Sequence, residues 1–333
     1  MNTLSDTLDK KVIARIGICG DIHLSSKNYG GHRDYPSESL YYFKKITETT
    51  KKYNLTHLIG CGDFSFGRFN TLEYRRDVEK ELEEQNRLTN GNRYELFGNH
   101  DEAGYGMTER DYYIDTGLLK PSTNLTLGNL HITMVDYGKT EQTPVNIVNE
   151  SEHYNIIIAH DFYKFANSKI GNFGKAIELD HLSKWFGADA IICGHIHKII
   201  DISGYIQDEA GENMLECAVH YLGCMSRPAY TKSGMDTEGH IMVYTVYDNG
   251  EVEAFNEIIP LWEIEKSFNI GNRTAKEQKQ AEIAERIDIS DVVKQLDAHD
   301  RHTGNPEDII NAMVGIDPRY KAKAIDLLHK AMG

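Results

Sequence analysis

The 333-residue sequence predicts an α/β protein built as a four-layer α/β/β/α sandwich with a helical extension at its C-terminal end. Three observations predict it. Short apolar runs rich in Val and Ile recur and mostly run into a glycine; amphipathic segments alternate with them; and past Lys198 the chain changes to alternating, hairpin-like stretches.

Val12 to Cys19 is a continuous apolar, β-branched run, the pattern of a strand buried on both faces. Ser37 to Lys52 spaces Leu40, Phe43 and Ile46 at helical intervals, with Ser37 as the expected cap. His57 to Cys61 reads as the next strand. Thr71 to Leu88 reads as a solvated helix with apolar positions at Leu72, Val78 and Leu82, closing near Asn90-Gly91. Strands follow at Tyr94 to Phe97, around Leu125, at Leu130 to Val135, at Asn155 to Ala159 and at Ala190 to Cys193. A helix over roughly Ile177 to Trp185 is expected between the last two.

After Lys198, Ile199 to Ile206, Met214 to Leu222, and a hairpin of Ile241 to Tyr247 and Val252 to Ile258 are expected to form a second sheet facing the first. Asp248-Asn249-Gly250 supplies the turn. Thr274-Ala275-Lys276-Glu277 is a capping-box pattern, and Asn305-Pro306 and Asp317-Pro318 place a capping residue before a proline. Residues 1–268 therefore read as one catalytic body. Residues 274–333 read as three or four short helices, joined to it near 269–273 and available to a partner.

Composition narrows the function classes. No run of about 18 apolar residues exists, so no spanning segment is expected, and the first residues lack the charged-then-apolar pattern of an export signal. Five scattered cysteines, odd in number, read as reduced thiols, which with the missing signal gives a cytoplasmic expectation. The net charge is −15; residues 273–333 are nearly neutral, with ten Lys/Arg to eleven Asp/Glu, so about −14 belongs to residues 1–272. Acidity on that scale opposes unassisted nucleic-acid binding. Two divalent cations would offset about four of those charges locally and admit a phosphate.

The chemistry lies in five segments: Gly20-Asp21-Ile22-His23, Gly62-Asp63, Gly98-Asn99-His100-Asp101, Ala159-His160-Asp161 and Gly194-His195-Ile196-His197. Each begins where an apolar strand ends, the edge at which layered α/β proteins bind ligands. Carboxylate, imidazole and carboxamide are the donor set of a two-metal hydrolytic centre. Asp21 and His23 can converge on one ion, Asp63 has two oxygens with which to bridge, Asn99 offers a neutral hard oxygen, and His160, His195 and His197 offer imidazoles.

This ordered set resembles the calcineurin-like metallophosphoesterase superfamily over about residues 12–200. The resemblance implies one metal held by Asp21, His23, Asp63 and His197 and another by Asp63, Asn99, His160 and His195. It implies His100, oriented by Asp101, as general acid, with in-line attack on phosphorus by a metal-bridging hydroxide. Tyr221-Leu222-Gly223-Cys224-Met225-Ser226-Arg227 and the following Glu238 to Tyr244 are similar to SbcD-type DNA-repair and recombination nucleases, including large-phage versions, with Cys224 where Ser or Thr is usual. That likeness implies a manganese-dependent DNA exonuclease and endonuclease, with Fe, Zn or Mg as other metals. It also implies a homodimer and an SbcC-like ATPase partner on the C-terminal helices. Two alternatives stay open: a small-molecule nucleotide or cyclic-nucleotide phosphodiesterase, and a metal-containing scaffold subunit.

Other residues have plainer readings. His32, His131, His153, His181, His220, His240, His299, His302 and His329 read as surface or satisfied core residues. Tyr41, Tyr42 and Phe43 could stack bases, but at helical spacing they read as core or dimer contact. Arg227 reads equally as a phosphate contact or a structural ion pair. The loop 28–35 is either a substrate entrance or a plain loop.

Overall fold

A computed structural model describes residues 10–28, 32–66, 70–101, 107–145, 147–148, 153–168, 170, 175–227 and 238–268. The linker and helices expected over 269–333 lie outside these residues.

Strand β1 (Val12–Cys19) sits mid-sheet, and from Ile16 to Cys19 it is buried on both faces. It pairs in parallel with β2 (His57–Gly60), which pairs in parallel with β3 (Arg93–Glu95). The second sheet is built on β4 (Asn124–Leu127), β5 (Leu130–Val135), β6 (Tyr154–Ala159) and β9 (Ala190–Cys193), between which a small ribbon of β7 (Tyr163–Lys164) and β8 (Ile177–Glu178) intervenes in the chain.

The strands after Lys198 do not make a sheet of their own, contrary to expectation. β10 (Ile199–Gln207) and β11 (Met214–Leu222) extend the second sheet, β11 lying parallel to β9, whereas β12 (Gly239–Tyr247) and β13 (Val252–Ile259) extend the first, β12 lying antiparallel to β1. Alternating hydrophobicity shows that a strand has a buried face, not which sheet it joins. The resulting orders are β13-β12-β1-β2-β3 and β10-β11-β9-β6-β5-β4.

Side chains alternate across each strand, so one continuous apolar run supplies two cores. Ile156 and Ile158 of β6 face Ile16, Ile18 and Ile59 between the sheets, while Ile157 and Ala159 face Trp185, Phe162 and Leu179 on the outer side. On the opposite outer side helices α1 (Tyr35–Tyr53) and α2 (Leu72–Thr89) cover the first sheet through Tyr42, Phe43, Ile46, Tyr74, Val78 and Leu82. The layers are therefore helix, sheet, sheet and an outer layer of short turns.

Local signals explain the element ends. Asp34, not Ser37, caps α1 by accepting the Ser37 N–H, and Pro36 sits in its first turn where a missing N–H costs nothing. Thr71 caps α2, which ends at Asn90 in the left-handed conformation as expected. Leu72 is 64% exposed and Tyr74 takes its place in the core. Helix α3 (Glu109–Asp115) carries a complete Thr108/Asp111 capping box. In place of a helix over 177–185 there are β8 and two 3₁₀ turns, Leu179–His181 and Ser183–Trp185, interrupted at Leu182 by a non-helical backbone (φ −88°, ψ 64°). A short helix, α4 (Ile264–Ser267), follows β13. Among the described residues no helix is long and apolar enough to cross a membrane.

Truncating Ile158, fully buried between the sheets, leaves a cavity that neither sheet can close. Ile158→Ala is expected to lower stability by about 2–5 kcal/mol in urea unfolding; a loss below about 1 kcal/mol would contradict this packing.

Candidate metal centre

All seven residues expected to bind metal meet at one end of the sandwich. Asp21 follows β1 and bridges Cys224 of the loop after β11, while the Asp21 carboxylate accepts the His195 N–H at 3.0 and 3.1 Å. Two inter-sheet loops are thereby locked together. Side-chain ligand atoms of Asp21, His23, Asp63 and His197 lie within 4.8 Å of one another. The second set also converges: Asn99 Oδ1 lies 3.1 Å from His160 Nε2 and 2.8 Å from His195 Nδ1, and His160 Nε2 lies 3.4 Å from Asp63 Oδ2.

Asp63 joins the two sets. Its Oδ1 accepts the His100 N–H at 2.7 Å, which fixes the carboxylate. Its Oδ2 is buried without a hydrogen-bond partner, 3.7 Å from His23 Nε2 on one side and 3.4 Å from His160 Nε2 on the other. A buried, unspent carboxylate oxygen between imidazoles of both sets is what two cations sharing a ligand require. His23 Nε2 and His197 Nε2 also stand 2.9 Å apart, an approach of two nitrogens that needs a proton or a cation between them. The donor set therefore fits two divalent ions.

The backbone is strained at these residues. His23, Asp63 and His195 have φ of 53°, 52° and 71°, the left-handed region that side chains rarely adopt, and the other described non-glycine cases, Asn54 and Asn90, are helix caps. The motif glycines make room for this. A Cβ on Gly98 would collide with the Asp63 carboxylate and backbone N, and one on Gly194 would collide with the Asp21 carboxylate and lie 2.8 Å from the Cys61 carbonyl.

Burial and charge set the protonation states. Burial holds His23 down at about 3, with Asp63 only partly opposing it, and burial likewise lowers His195. Both rings are thus neutral lone-pair donors. Burial opposes a charge on His160 too, but Asp63 and Asp21 outweigh it and raise the ring to about 10. Its Nδ1 lies 2.6 Å from the Cys61 carbonyl, so the Nε2 proton is the one aimed at Asn99 and Asp63, where a cation would displace it.

His100 and Asp101 separate. The His100 side is exposed beside buried ligands, its ring stacked on Phe66 at 4.9 Å. Asp101 is buried, and its oxygens accept the Gly98, Phe64 and Ser65 N–H groups at 2.9, 3.4 and 3.4 Å. It therefore ties the Asp63 turn to the Asn99 turn instead of orienting the His100 ring. Burial, then the nearby Asp63 charge, raises it to about 7.

Sequence reasoning did not single out Phe66, Tyr137 or Glu95. Tyr137 lies alongside His195 at 6.0 Å, just past the end of β5. Glu95 is fully buried, accepts the Gly62 N–H at 3.2 Å and pairs with the buried Arg93 at 2.6 Å, bracing the turn that carries Asp63. Arg227 is buried and donates to the Trp262 carbonyl. Tyr42 and Phe43 are core. His220 and His240 pair with Asp201 and Glu238 at 2.8 and 3.2 Å, away from the centre.

Two outcomes follow from this geometry. Gly98→Ala displaces Asp63 and is expected to weaken divalent-metal binding about 10–100-fold in calorimetry while the far-ultraviolet spectrum is kept. Unchanged affinity would contradict the close approach. In metal-free protein, His160 is raised above its ordinary 6.5, so its contribution to stability is complete below pH 6.5 and is lost as pH rises through about 10. Melting temperatures of metal-free protein should fall across that window, and adding a divalent ion at pH 8 should release about one proton from His160.

Residues 14–199 match the family of calcineurin-like phosphoesterases, a span that contains every ligand segment from Asp21 to His197. No curated protein matches the chain. Among solved structures, a dimetal phosphatase from Danio rerio aligns over 75% of this chain and 100% of its own, at 10% identity and a TM-score of 0.40, a likeness too loose to bear on activity. The family match covers more than half of the 333 residues and coincides with the metal centre: the chain belongs to the calcineurin-like phosphoesterases.

Proposed function

We propose that this protein is a two-metal phosphodiesterase that cleaves DNA, as an exonuclease and endonuclease in repair or recombination. The carrying observation is the pair of donor sets sharing Asp63, whose Oδ2 is buried and unspent. Asp21, His23, Asp63 and His197 would hold one divalent ion and Asp63, Asn99, His160 and His195 the other, with manganese the metal proposed. When bound, such ions activate water for in-line attack and neutralise phosphate charge.

The chain's own residues do the rest. Neutral His23 and His195 donate lone pairs without needing to lose a proton, and Cys61 fixes the His160 ring through its carbonyl. His100, exposed and held flat against Phe66, is the group placed to give a proton to the leaving oxygen. His197 is partly exposed, 31% at its side chain, which would suit a substrate larger than the centre itself.

DNA as substrate is supported by the likeness of residues 221–244 to SbcD-type nucleases. An SbcC-like ATPase on the C-terminal helices, a homodimer and a cytoplasmic location belong to the same proposal. The net charge of −15 favours the second reading, a small-molecule phosphodiesterase acting on a nucleotide or cyclic nucleotide.

With manganese, the purified chain is expected to cut end-labelled single- and double-stranded DNA. His100→Ser should lose about 10²–10⁴-fold in rate with metal binding intact, whereas Asp63→Asn should lose both. Hydrolysis of bis-nitrophenyl phosphate with every DNA substrate left whole would sink the nuclease reading and leave the small-molecule one.

A further inference from the structure

His23 is a buried donor whose ring no hydrogen bond steadies from its second nitrogen. Its Nδ1 is buried and has no hydrogen-bond partner among the described residues, whereas the His160 ring is fixed by its Nδ1 against the Cys61 carbonyl at 2.6 Å. A metal-binding imidazole is ordinarily aimed by a bond from that second nitrogen. For His23 the aim must come from the backbone, which is itself strained there, with φ of 53°.

Tyr35, the first residue of α1, supplies the hold. Its hydroxyl donates to the His23 carbonyl at 2.9 Å and meets Ser226 Oγ at 2.8 Å, while the His23 N–H donates to the Asp63 carbonyl at 2.9 Å. The backbone of His23 is thus anchored on both sides. The carbonyls before it are caught as well, Asp21 accepting the Met225 N–H at 2.8 Å and Ile22 lying 3.2 Å from Ser226 Oγ. Tyr35 is held in its turn: it is fully buried, its N–H donates to Asn28 Oδ1 at 2.6 Å and its carbonyl accepts the Ser39 hydroxyl at 2.9 Å. The His32 ring meets it edge-on at 4.7 Å, and Phe268 packs against that imidazole at 4.3 Å.

We propose that Tyr35 is a positioning residue for the metal position formed by Asp21, His23, Asp63 and His197: its phenol hydroxyl fixes the His23 carbonyl and, through it, the aim of the His23 ring. Tyr35 offers no donor to either ion and acts only through His23. The two positions then differ in what holds them. The one with Asn99 and His195 has its own anchor, the Cys61 carbonyl behind His160, so loss of the phenol hydroxyl should be felt at one position and not at the other. This inference rests on the two-metal reading of the centre.

The test titrates the metal-stripped full chain with manganese(II) alone, counting free ion by its six-line electron paramagnetic resonance signal. Wild type is expected to take up two ions. Tyr35→Phe, which removes one oxygen and keeps the ring, should bind one ion with wild-type affinity and the other about 10–100-fold more weakly, its far-ultraviolet spectrum unchanged. In a His23→Ala background the same change should alter manganese binding by less than about twofold, because its effect runs through the ring already removed. Both ions bound as in wild type, both weakened alike, or a full loss that persists without the His23 ring would each overturn the proposal and leave the two-metal centre standing. A Tyr35→Phe chain that no longer folds would make the hydroxyl a determinant of the fold and overturn it equally. Fewer than two ions on wild type would overturn the two-metal reading and this inference with it.

Discussion

The buried carboxylate of Asp63 is the constraint on which the rest of this structure turns. With Asp21 it raises His160 against burial, it partly opposes the burial that lowers His23, and it adds to the burial that raises Asp101, so one negative charge acts on three neighbours. A charge that deep is costly unless paired. The fold meets the cost with the His100 N–H on one oxygen and leaves the other for a cation. Asp101 and Glu95 then serve that arrangement indirectly, each holding backbone N–H groups of the turn that delivers Asp63.

Close packing is how the fold keeps the donors in place. Three of them adopt left-handed backbone, and glycines at 98 and 194 let neighbouring turns approach to distances a Cβ would forbid. Strain of this kind persists only where surrounding contacts over-determine it. Here those contacts come from both sheets: Asp21 of the first accepts from His195 of the second, and the His160 ring reaches the Cys61 carbonyl across the same gap.

Much of this was legible before the fold was known, for a definite reason. An apolar run that ends in a small residue and then a carboxylate, carboxamide or imidazole marks a strand delivering a donor: glycine precedes Asp21, Asp63, Asn99 and His195, and alanine precedes His160. What the pattern does not carry is direction and partner. Leu72 and Tyr74 are two residues apart on α2, and only packing decides that Tyr74 is the buried one. Asp101 follows His100 in sequence yet bonds to Gly98, Phe64 and Ser65, because a short 3₁₀ turn sends its side chain back towards the Asp63 turn. The break at Leu182 had no glycine or proline to announce it. The short α3 was not expected, although its Thr108/Asp111 box stands in the sequence and its Tyr113 is core.

The division of the late strands between the two sheets has a consequence for the modularity of the chain. Every donor is in hand by His197, yet β1, which delivers Asp21 and His23, has β12 as one of its two neighbours, and β9, which delivers His195, has β11. A fragment cut just after the last donor would own the complete ligand inventory and lack the walls that aim it. Ligation competence is thus a property of chain closure, not of the ligand-bearing stretch. Val12 pairs with Tyr247, so framing the centre depends on a contact of long sequence separation, of the kind that slows folding.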